Sequence, residues 1–237
     1  MIKIENLQKT YSQNGSVPTT ALDGVSFDIQ KGEFVAIIGP SGSGKSTLMH
    51  IMGFLDRSTS GNYFFQGQDA TKLNDQELAR IRNEEIGFIF QTFNLLPKTS
   101  VFDNVKLPLT YTDLPEQKKN EMVKEAVASV GLGHRINHLP NQLSGGEQQR
   151  VAIARAIISN PSLIFADEPT GNLDSKSGQK IIEILEELND KGHTIILVTH
   201  ENYTAQIAKR IITLKDGKLF SDEIVSHRKS AKDGLIK

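Results

Sequence analysis

The stretch FVAIIGPSGSGKSTLMHIM, residues 34–52, decides how the rest of the chain is read. Phe34 to Ile38 is an apolar run without alternation, the mark of a strand buried on both faces of a parallel sheet. GPSGSGKST follows at Gly39 to Thr47, matches the spacing G-x-x-x-x-G-K-[ST], and leads directly into a helical run. Strand, loop and helix in that order are the context the pattern requires. Gly39, Gly42 and Gly44 free the backbone to wrap phosphate groups, with Pro40, Ser41 and Ser43 between them. Lys45 then reaches the β- and γ-phosphates, the Ser46 hydroxyl offers a ligand to Mg²⁺, and Thr47 closes the motif. A chance glycine turn at a helix start is the competing reading, and the flanking elements argue against it. The stretch reads as a nucleoside-triphosphate site.

Further along, LIFADE at residues 163–168 is an apolar strand ending in two carboxylates. Asp167 is placed to hold Mg²⁺, through water, and Glu168 to act as the base for an attacking water. On its own this is equally an acidic strand end before a turn at Pro169; beside a complete phosphate loop the catalytic reading prevails. No N-K-x-D guanine-reading motif occurs, since LNDKGH lacks the order, so ATP is expected rather than GTP.

Outward from these motifs the chain alternates strand and helix around one interruption. IKIENL and LDGVSFDI alternate as antiparallel strands do, separated by a polar loop at residues 12–18. A helix is expected through KSTLMHIMGFL, and GNYFFQG as an edge strand. NDQELARIR opens a helix with Asn74 as N-cap and Glu77 three residues on, a capping-box pattern. IGFIFQ is a strand ending at the polar Gln91. No buried-type strand occurs between Gln91 and Pro161, and EQKKNEMVKEAVASV puts Met122, Val123, Ala126, Val127 and Val130 on one helical face. Residues 92–160 therefore read as an inserted helical subdomain. Alternation then resumes with SLIFAD, a helix around KIIEILEELN stopped by Gly192, TIILVTH, and a hairpin through RIITLKDGKLF. Residues 1–224 read as one domain, and 225–237 as a polar C-terminal tail. The fold class expected is α/β, an interrupted core with an antiparallel edge.

At 237 residues there is room for one large domain, or one domain with a subdomain. The 27 basic and 28 acidic side chains leave a net charge of −1, which argues against a dedicated nucleic-acid binder. There is no cysteine, so disulfides and thiolate metal sites are excluded. The chain opens on the polar MIKIENLQKTY, without an apolar signal region, and no apolar run approaches the ~18 residues that span a bilayer. A soluble, cytoplasmic chain is expected, with any membrane role needing a separate partner.

A second glycine pair remains, in LSGGEQQR at residues 143–150. Glycines directly before a helical run build an anion cradle from backbone N–H groups, yet the chain already has one at Gly39–Thr47. This stretch resembles the family signature of ATP-binding-cassette (ABC) ATPases. The other elements of that family follow in order: KTY with Tyr11, GPSGSGKST, FQ with Gln91, LIFADE, GNLD with Asp174, and TH with His200. The resemblance covers nearly the whole chain. It implies a RecA-like P-loop NTPase core, mostly parallel, with an antiparallel β subdomain and an inserted α-helical subdomain.

The resemblance further implies that Tyr11 stacks on adenine, against the plainer reading of an ordinary strand aromatic. Gln91 would ligate Mg²⁺, contact the attacking water and act as a hinge to the helical subdomain. His200 would hydrogen-bond the γ-phosphate. Ser144, Gly145 and Gly146 would close over the ATP held by a second copy in a head-to-tail homodimer. Asp174 is carried over as a nucleotide-site residue, although Asp before SKSGQK is also a good helix N-cap. Glu147 departs from the pattern, since many relatives have Gln there; in the first helical turn its charge suits the macrodipole. Within the family, IIGPSGSGKSTLMHIMGFLDRSTSG and IGFIFQTFNLLPKTSVFDNVKLPL resemble the macrolide-exporter, lipoprotein-release and cell-division group. That group implies a permease with a large extracytoplasmic part, docked on TFNLLPKTSVFDNVKLPL, where several of Phe93, Leu95, Leu96, Val101, Phe102 and Val105 must instead be core. A periplasmic or extracellular adaptor is the further partner the resemblance allows. The chain would lie peripherally on the inner face of the membrane through the permease. Competing expectations are an importer ATPase for small solutes and a soluble non-transport ABC ATPase.

Overall fold

The structure is a computed structural model that describes residues 1–12 and 17–230. Most of the expected polar loop at 12–18, and the tail beyond Ser230, lie outside the described residues. The chain begins with β1 (Ile2–Tyr11), β2 (Thr19–Ile29), β3 (Phe34–Ile38), α1 (Lys45–Met52), β4 (Ser60–Phe65) and β5 (Gln68–Asp69). Next come α2 (Asp75–Glu85), β6 (Ile86–Ile89), α3 (Val101–Lys106), α4 (Glu116–Ser129), α5 (Gly145–Ile157) and β7 (Leu163–Asp167). The chain continues through α6 (Ser175–Asp190), β8 (Thr194–Val198), α7 (Asn202–Ala205), β9 (Arg210–Lys215) and β10 (Lys218–Ile224). Two compact units result: Met1–Arg82 with Thr194–Lys229, and Asn83–His193, to which Ser230 also belongs.

The first unit holds two sheets. One is antiparallel in the order β2-β1-β4-β5. Here β4 is not the edge strand its sequence suggested. Gln66 and Gly67 both take positive φ (50° and 83°), turning the chain so that Phe64 and Phe65 pair with Asp69 and Gln68. The other sheet places β3 between β8 and β9, parallel to both, with β10 antiparallel outside β9. Phe34, Val35, Ala36 and Ile37 of β3, and all five residues of β8, are buried, as two-faced coverage of parallel strands demands. The β9–β10 turn is Asp216–Gly217 (φ 50° and 75°), a pair of left-handed residues whose twist suits a two-residue hairpin.

Helix α1 ends at Met52, three residues before the expected Leu55. Gly53 caps it, and Phe54 turns left-handed (φ 57°) so that its ring stacks on Tyr63 and meets Phe65 edge-on. Arg82 locks the turn by donating to the Phe54 carbonyl (2.8 Å). Helix α2 opens with the expected capping box: the Asn74 N–H donates to Glu77 Oε2 (2.8 Å), and the Glu77 N–H to Asn74 Oδ1 (3.0 Å).

In the second unit β6 and β7 pair in parallel, with Phe88 opposite Phe165 and their rings stacked 5.6 Å apart. Between Gln91 and Pro161 every regular element is helical. Val123, Ala126, Val127 and Val130 of the α4 segment are buried; Met122, on the same expected face, is half-buried. Asn104 of α3 is fully buried, takes the Leu96 N–H on its Oδ1 (2.7 Å), and donates to the carbonyls of Leu96, Thr99 and Ser100. One amide thus satisfies the backbone of a loop that has no ladder of its own. Val101 and Val105 are core, whereas Leu96 is 45% exposed.

Candidate nucleotide site

In the first unit the phosphate loop leaves the end of β3. Gly39 is irreplaceable there: at φ 151°, a Cβ would stand 2.2 Å from the Leu214 carbonyl oxygen. Gly44 is equally constrained, with φ 96° and a Cβ position 2.4 Å from the Ala21 carbonyl oxygen. The strands that flank the loop therefore set its path through steric contact. Helix α1 begins at Lys45 with no side-chain cap, so its first N–H groups point into the loop, where an anion is stabilised by them and by the macrodipole. The Lys45 ammonium donates to the carbonyls of Gly39 (2.8 Å) and Pro40 (2.9 Å), and Ser46 is exposed.

His200 lies in the same unit, two residues past the end of β8. The pairing of Ile37 with Val198, and the Thr199 N–H on the Ile37 carbonyl (3.2 Å), bring it to the strand end from which the phosphate loop departs. Tyr11 closes the group. Its hydroxyl donates to Asp56 Oδ2 (2.8 Å), and the Lys9 ammonium lies 4.7 Å over its ring. Burial first, and then the Asp56 carboxylate, hold the phenol above its ordinary pKa. Burial works against the charged form of Asp56, but hydrogen bonds from Lys9, Tyr11 and the Arg57 amide outweigh it and keep that carboxyl below its usual range. Asp56, which the motifs did not single out, thus joins Tyr11 to Lys9, whose ammonium is 2.7 Å from Asp56 Oδ1.

The second unit gathers the other candidates. Asp167 ends β7, and Glu168 follows at φ 43°, a left-handed conformation rare for a branch-free acidic residue and one associated with functional turns. Its carbonyl accepts the Gly171 N–H (3.0 Å). Gln91, just past the paired β6, packs on that turn. Asn172 Nδ2 donates to the Gln91 carbonyl (3.1 Å), and a Cβ on Gly171 would stand 2.6 Å from Gln91 Nε2. Asp174 caps α6, its carboxylate accepting the Ser177 N–H (2.9 Å); bonds from Ser177 lower its pKa.

The signature differs from its expected form. Gly145 and Gly146 do not precede the helix; they are its first two residues, and Ser144 is the N-cap. The Ser144 N–H donates to Glu147 Oε2 (2.8 Å) and the Glu147 N–H to Ser144 Oγ (3.3 Å). Glu147 is thus one half of a capping box and not only a charge suited to the helix dipole. S-x-x-E in the sequence carried that signal. Its carboxyl lies below the usual range, first through the Ser144 backbone bond, which outweighs burial, with Arg135 and Arg150 adding to it. Gly146 packs so tightly that a Cβ would stand 2.8 Å from Ser177 Oγ.

Two further residues of α5 bear on the site: Gln149, inside the quoted signature but given no role there, and Arg155, which no motif marks. Gln149 is fully buried and donates through Nε2 to the carbonyls of Pro169 (2.9 Å) and Phe90 (3.3 Å). Arg155 donates to the carbonyls of Asn94 (2.6 Å) and Phe93 (2.9 Å), two residues in left-handed backbone (φ 50° and 61°). Helix α5 therefore holds the backbone on both sides of Gln91 and the turn after Glu168.

Residues 22–171 match the family model described as ABC transporter. The chain is 53% identical over 223 residues to a macrolide export ATP-binding/permease protein MacB of Bdellovibrio bacteriovorus, covering 94% of this chain and 34% of that protein. It thus spans about a third of the length of such relatives. An uncharacterized ABC transporter ATP-binding protein, YknY of Bacillus subtilis, is 48% identical, covering 92% of this chain and 95% of its own length. Among solved structures, the dimeric structure of MJ0796, a bacterial ABC transporter cassette, superposes with a TM-score of 0.88 at 45% identity, over 96% of this chain and all of that one. A post-hydrolysis dimer of the MJ0796 cassette bound to ADP and Pi gives 0.87 at 44% identity, over 96% of this chain and all of that one.

Proposed function

The chain belongs to the ABC transporter family, and from that membership we propose that it is the ATP-hydrolysing subunit of a transporter, dimerising head to tail on ATP to drive a separate membrane permease. The observation that carries this reading is that one chain bears two anion cradles: the uncapped start of α1 behind Gly39–Gly44, and the start of α5 at Ser144–Gly146. Each copy's α5 then closes over the ATP held by its partner's phosphate loop, making two equivalent sites under two-fold symmetry.

In this reading Lys45 leaves the Gly39 and Pro40 carbonyls and turns to the β- and γ-phosphates, while Tyr11 supports the adenine. Glu168 takes the proton of the attacking water as its oxygen bonds the γ-phosphorus, and ADP leaves with the electron pair of the broken P–O bond. His200 hydrogen-bonds the γ-phosphate, and Gln91 senses its presence at the hinge of the helical subdomain, residues 92–160. Ser46, Gln91 and, through water, Asp167 carry the hard oxygen donors that would hold Mg²⁺. When bound, Mg²⁺ neutralises charge on the β/γ oxygens. Asp174 caps α6 and borders the site.

No helix among the described residues is long and apolar enough to cross a membrane. The likeness to macrolide-export proteins supports a permease with a large extracytoplasmic part, an adaptor outside the membrane, and a place for this chain on the membrane's inner face. The work done is export or extracytoplasmic mechanical work.

Mixed dimers test the arrangement. With Lys45→Ala on one chain and Ser144→Arg on the other, one intact site remains if the motifs act in trans and none if they act in cis. Both changes on one chain beside a normal partner reverse the expectation. Crosslinking of labelled nucleotide in purified mixed dimers reads this without turnover; labelling confined to the second mixture overturns the proposal.

A further inference from the structure

Glu147 puts a carboxylate at the helix end that, in the reading above, receives a triphosphate. The capping box holds it there: its Oε2 accepts the Ser144 N–H (2.8 Å), so the charge cannot swing into solvent without uncapping α5. The same box sets the serine hydroxyl. Because Ser144 Oγ accepts the Glu147 N–H (3.3 Å), its own proton is left to donate outward. A glutamine would cap equally well and bring no charge. The carboxylate adds a negative charge to a cradle for an anion that is itself several times negative, which opposes closure unless something offsets it.

The structure supplies the offset. Arg135 Nε stands 3.5 Å from Glu147 Oε1; that nitrogen is buried and makes no hydrogen bond among the described residues, while the side chain as a whole is 38% exposed. The guanidinium is held on its other side by Nη1 donating to His138 Nε2 (3.1 Å). The segment carrying it is fastened to α3, where the Val101 and Phe102 N–H groups donate to the carbonyls of His138 and Ile136 (each 2.9 Å). Arg135 is therefore placed by backbone bonds from one element against the carboxylate of another, rather than meeting it through a free side chain.

We propose that Arg135 is the counter-charge of the signature helix: it neutralises Glu147 so that the Ser144–Gly146 cradle accepts the nucleotide triphosphate of the facing copy. Arg135 is a positioning residue that acts through Glu147, and it matters only because position 147 is a carboxylate. This rests on the trans reading of Ser144–Gly146 given above.

A double-mutant cycle in a Glu168→Gln background, which removes turnover, tests it. The protein concentration for half-maximal ATP-driven dimerisation is measured by sedimentation for the parent, Arg135→Gln, Glu147→Gln and the double variant. Arg135→Gln is expected to weaken dimerisation by about five- to tenfold when residue 147 is Glu, with the loss shrinking as salt screens the charges. With Glu147→Gln the same change should cost less than about twofold, since no partner charge remains. Arg135→Lys, which keeps the charge, should restore most of the loss. Equal losses in both backgrounds, or no rescue by lysine, overturn the proposal by making Arg135 a fold residue or a direct phosphate ligand. A parent that fails to dimerise on ATP removes the head-to-tail reading, and this proposal with it. A parent that dimerises while the losses simply add removes the counter-charge alone.

Discussion

Tyr11 is held in one pose by two neighbours: Asp56 at its hydroxyl, and Lys9 over one face of its ring. One face is left for a base, and the hydroxyl is already engaged, so the ring offers stacking rather than base-edge readout. Tyr11→Ala should weaken nucleotide affinity by about 0.5–1.5 kcal/mol, the range for aromatic pairs, with ATP and GTP affected alike. Titration calorimetry measures it; an unchanged dissociation constant in the folded variant returns Tyr11 to the role of a strand aromatic. Glu168 invites a sharper test. Glu168→Gln should leave ATP binding intact, cut hydrolysis by roughly 10²- to 10⁴-fold, and let ATP-bound dimers accumulate. Near-normal turnover would take the residue out of the base role. At this scale the sequence was legible in local geometry: Gly39, Gly42 and Gly44 take the positive φ that a glycine loop allows, and Asp167 ends the strand its apolar run announced. It was silent on Asp56 and Arg135, whose contacts are with partners 45 and 12 residues away, Tyr11 and Glu147, that only folding brings close.

Among the elements of the second unit, α5 ties the candidate residues together. Its N-cap presents Ser144, Gln149 holds the carbonyls of Phe90 and Pro169, and Arg155 forks onto those of Phe93 and Asn94. Any rotation of α5 therefore pulls on the backbone either side of Gln91. Burial alone lowers the Arg155 pKa, so those two carbonyls are its compensation for desolvation. Lysine keeps the charge but cannot fork across two acceptors in one plane. Arg155→Lys should therefore lower kcat by about tenfold, as loss of a positioned geometry does, while the ATP dissociation constant stays unchanged. A parallel loss of ATP binding would show that Arg155 only supports the fold. Helix starts were readable where a capping side chain sits three residues from its partner, as at Asn74–Glu77. The short β5 was not, because its pairing depends on two left-handed residues, Gln66 and Gly67, and only the glycine advertises such a turn.

For the molecule as a whole, the next question is where force leaves it. Of the residues expected to divide between core and permease cleft, Val101 and Val105 are buried and Leu96 stands 45% exposed, its backbone held by Asn104. Leu96→Asp should uncouple transport from hydrolysis in the assembled transporter while leaving ATP binding and the melting temperature of the isolated subunit unchanged. A lowered melting temperature would instead assign Leu96 to packing. The α/β class and the order of its motifs were visible in the sequence because buried parallel strands read as apolar runs. The division into two units was not, since it depends on which long-range contacts form rather than on composition. One consequence belongs to β10. Its only strand partner among the described residues is β9, and it carries Phe220 and Ile224 at 68% and 83% exposure. An open strand edge with apolar side chains is a template on which another chain can grow. Between those two residues Asp222 is engaged by the Arg210 guanidinium (2.6 and 2.7 Å), and the exposed Glu223 is the gatekeeper: a stranger strand laid along β10 would have to accommodate its carboxylate before it reached Ile224. The Glu223 carboxylate is thus the charge that guards this edge when the protein is concentrated.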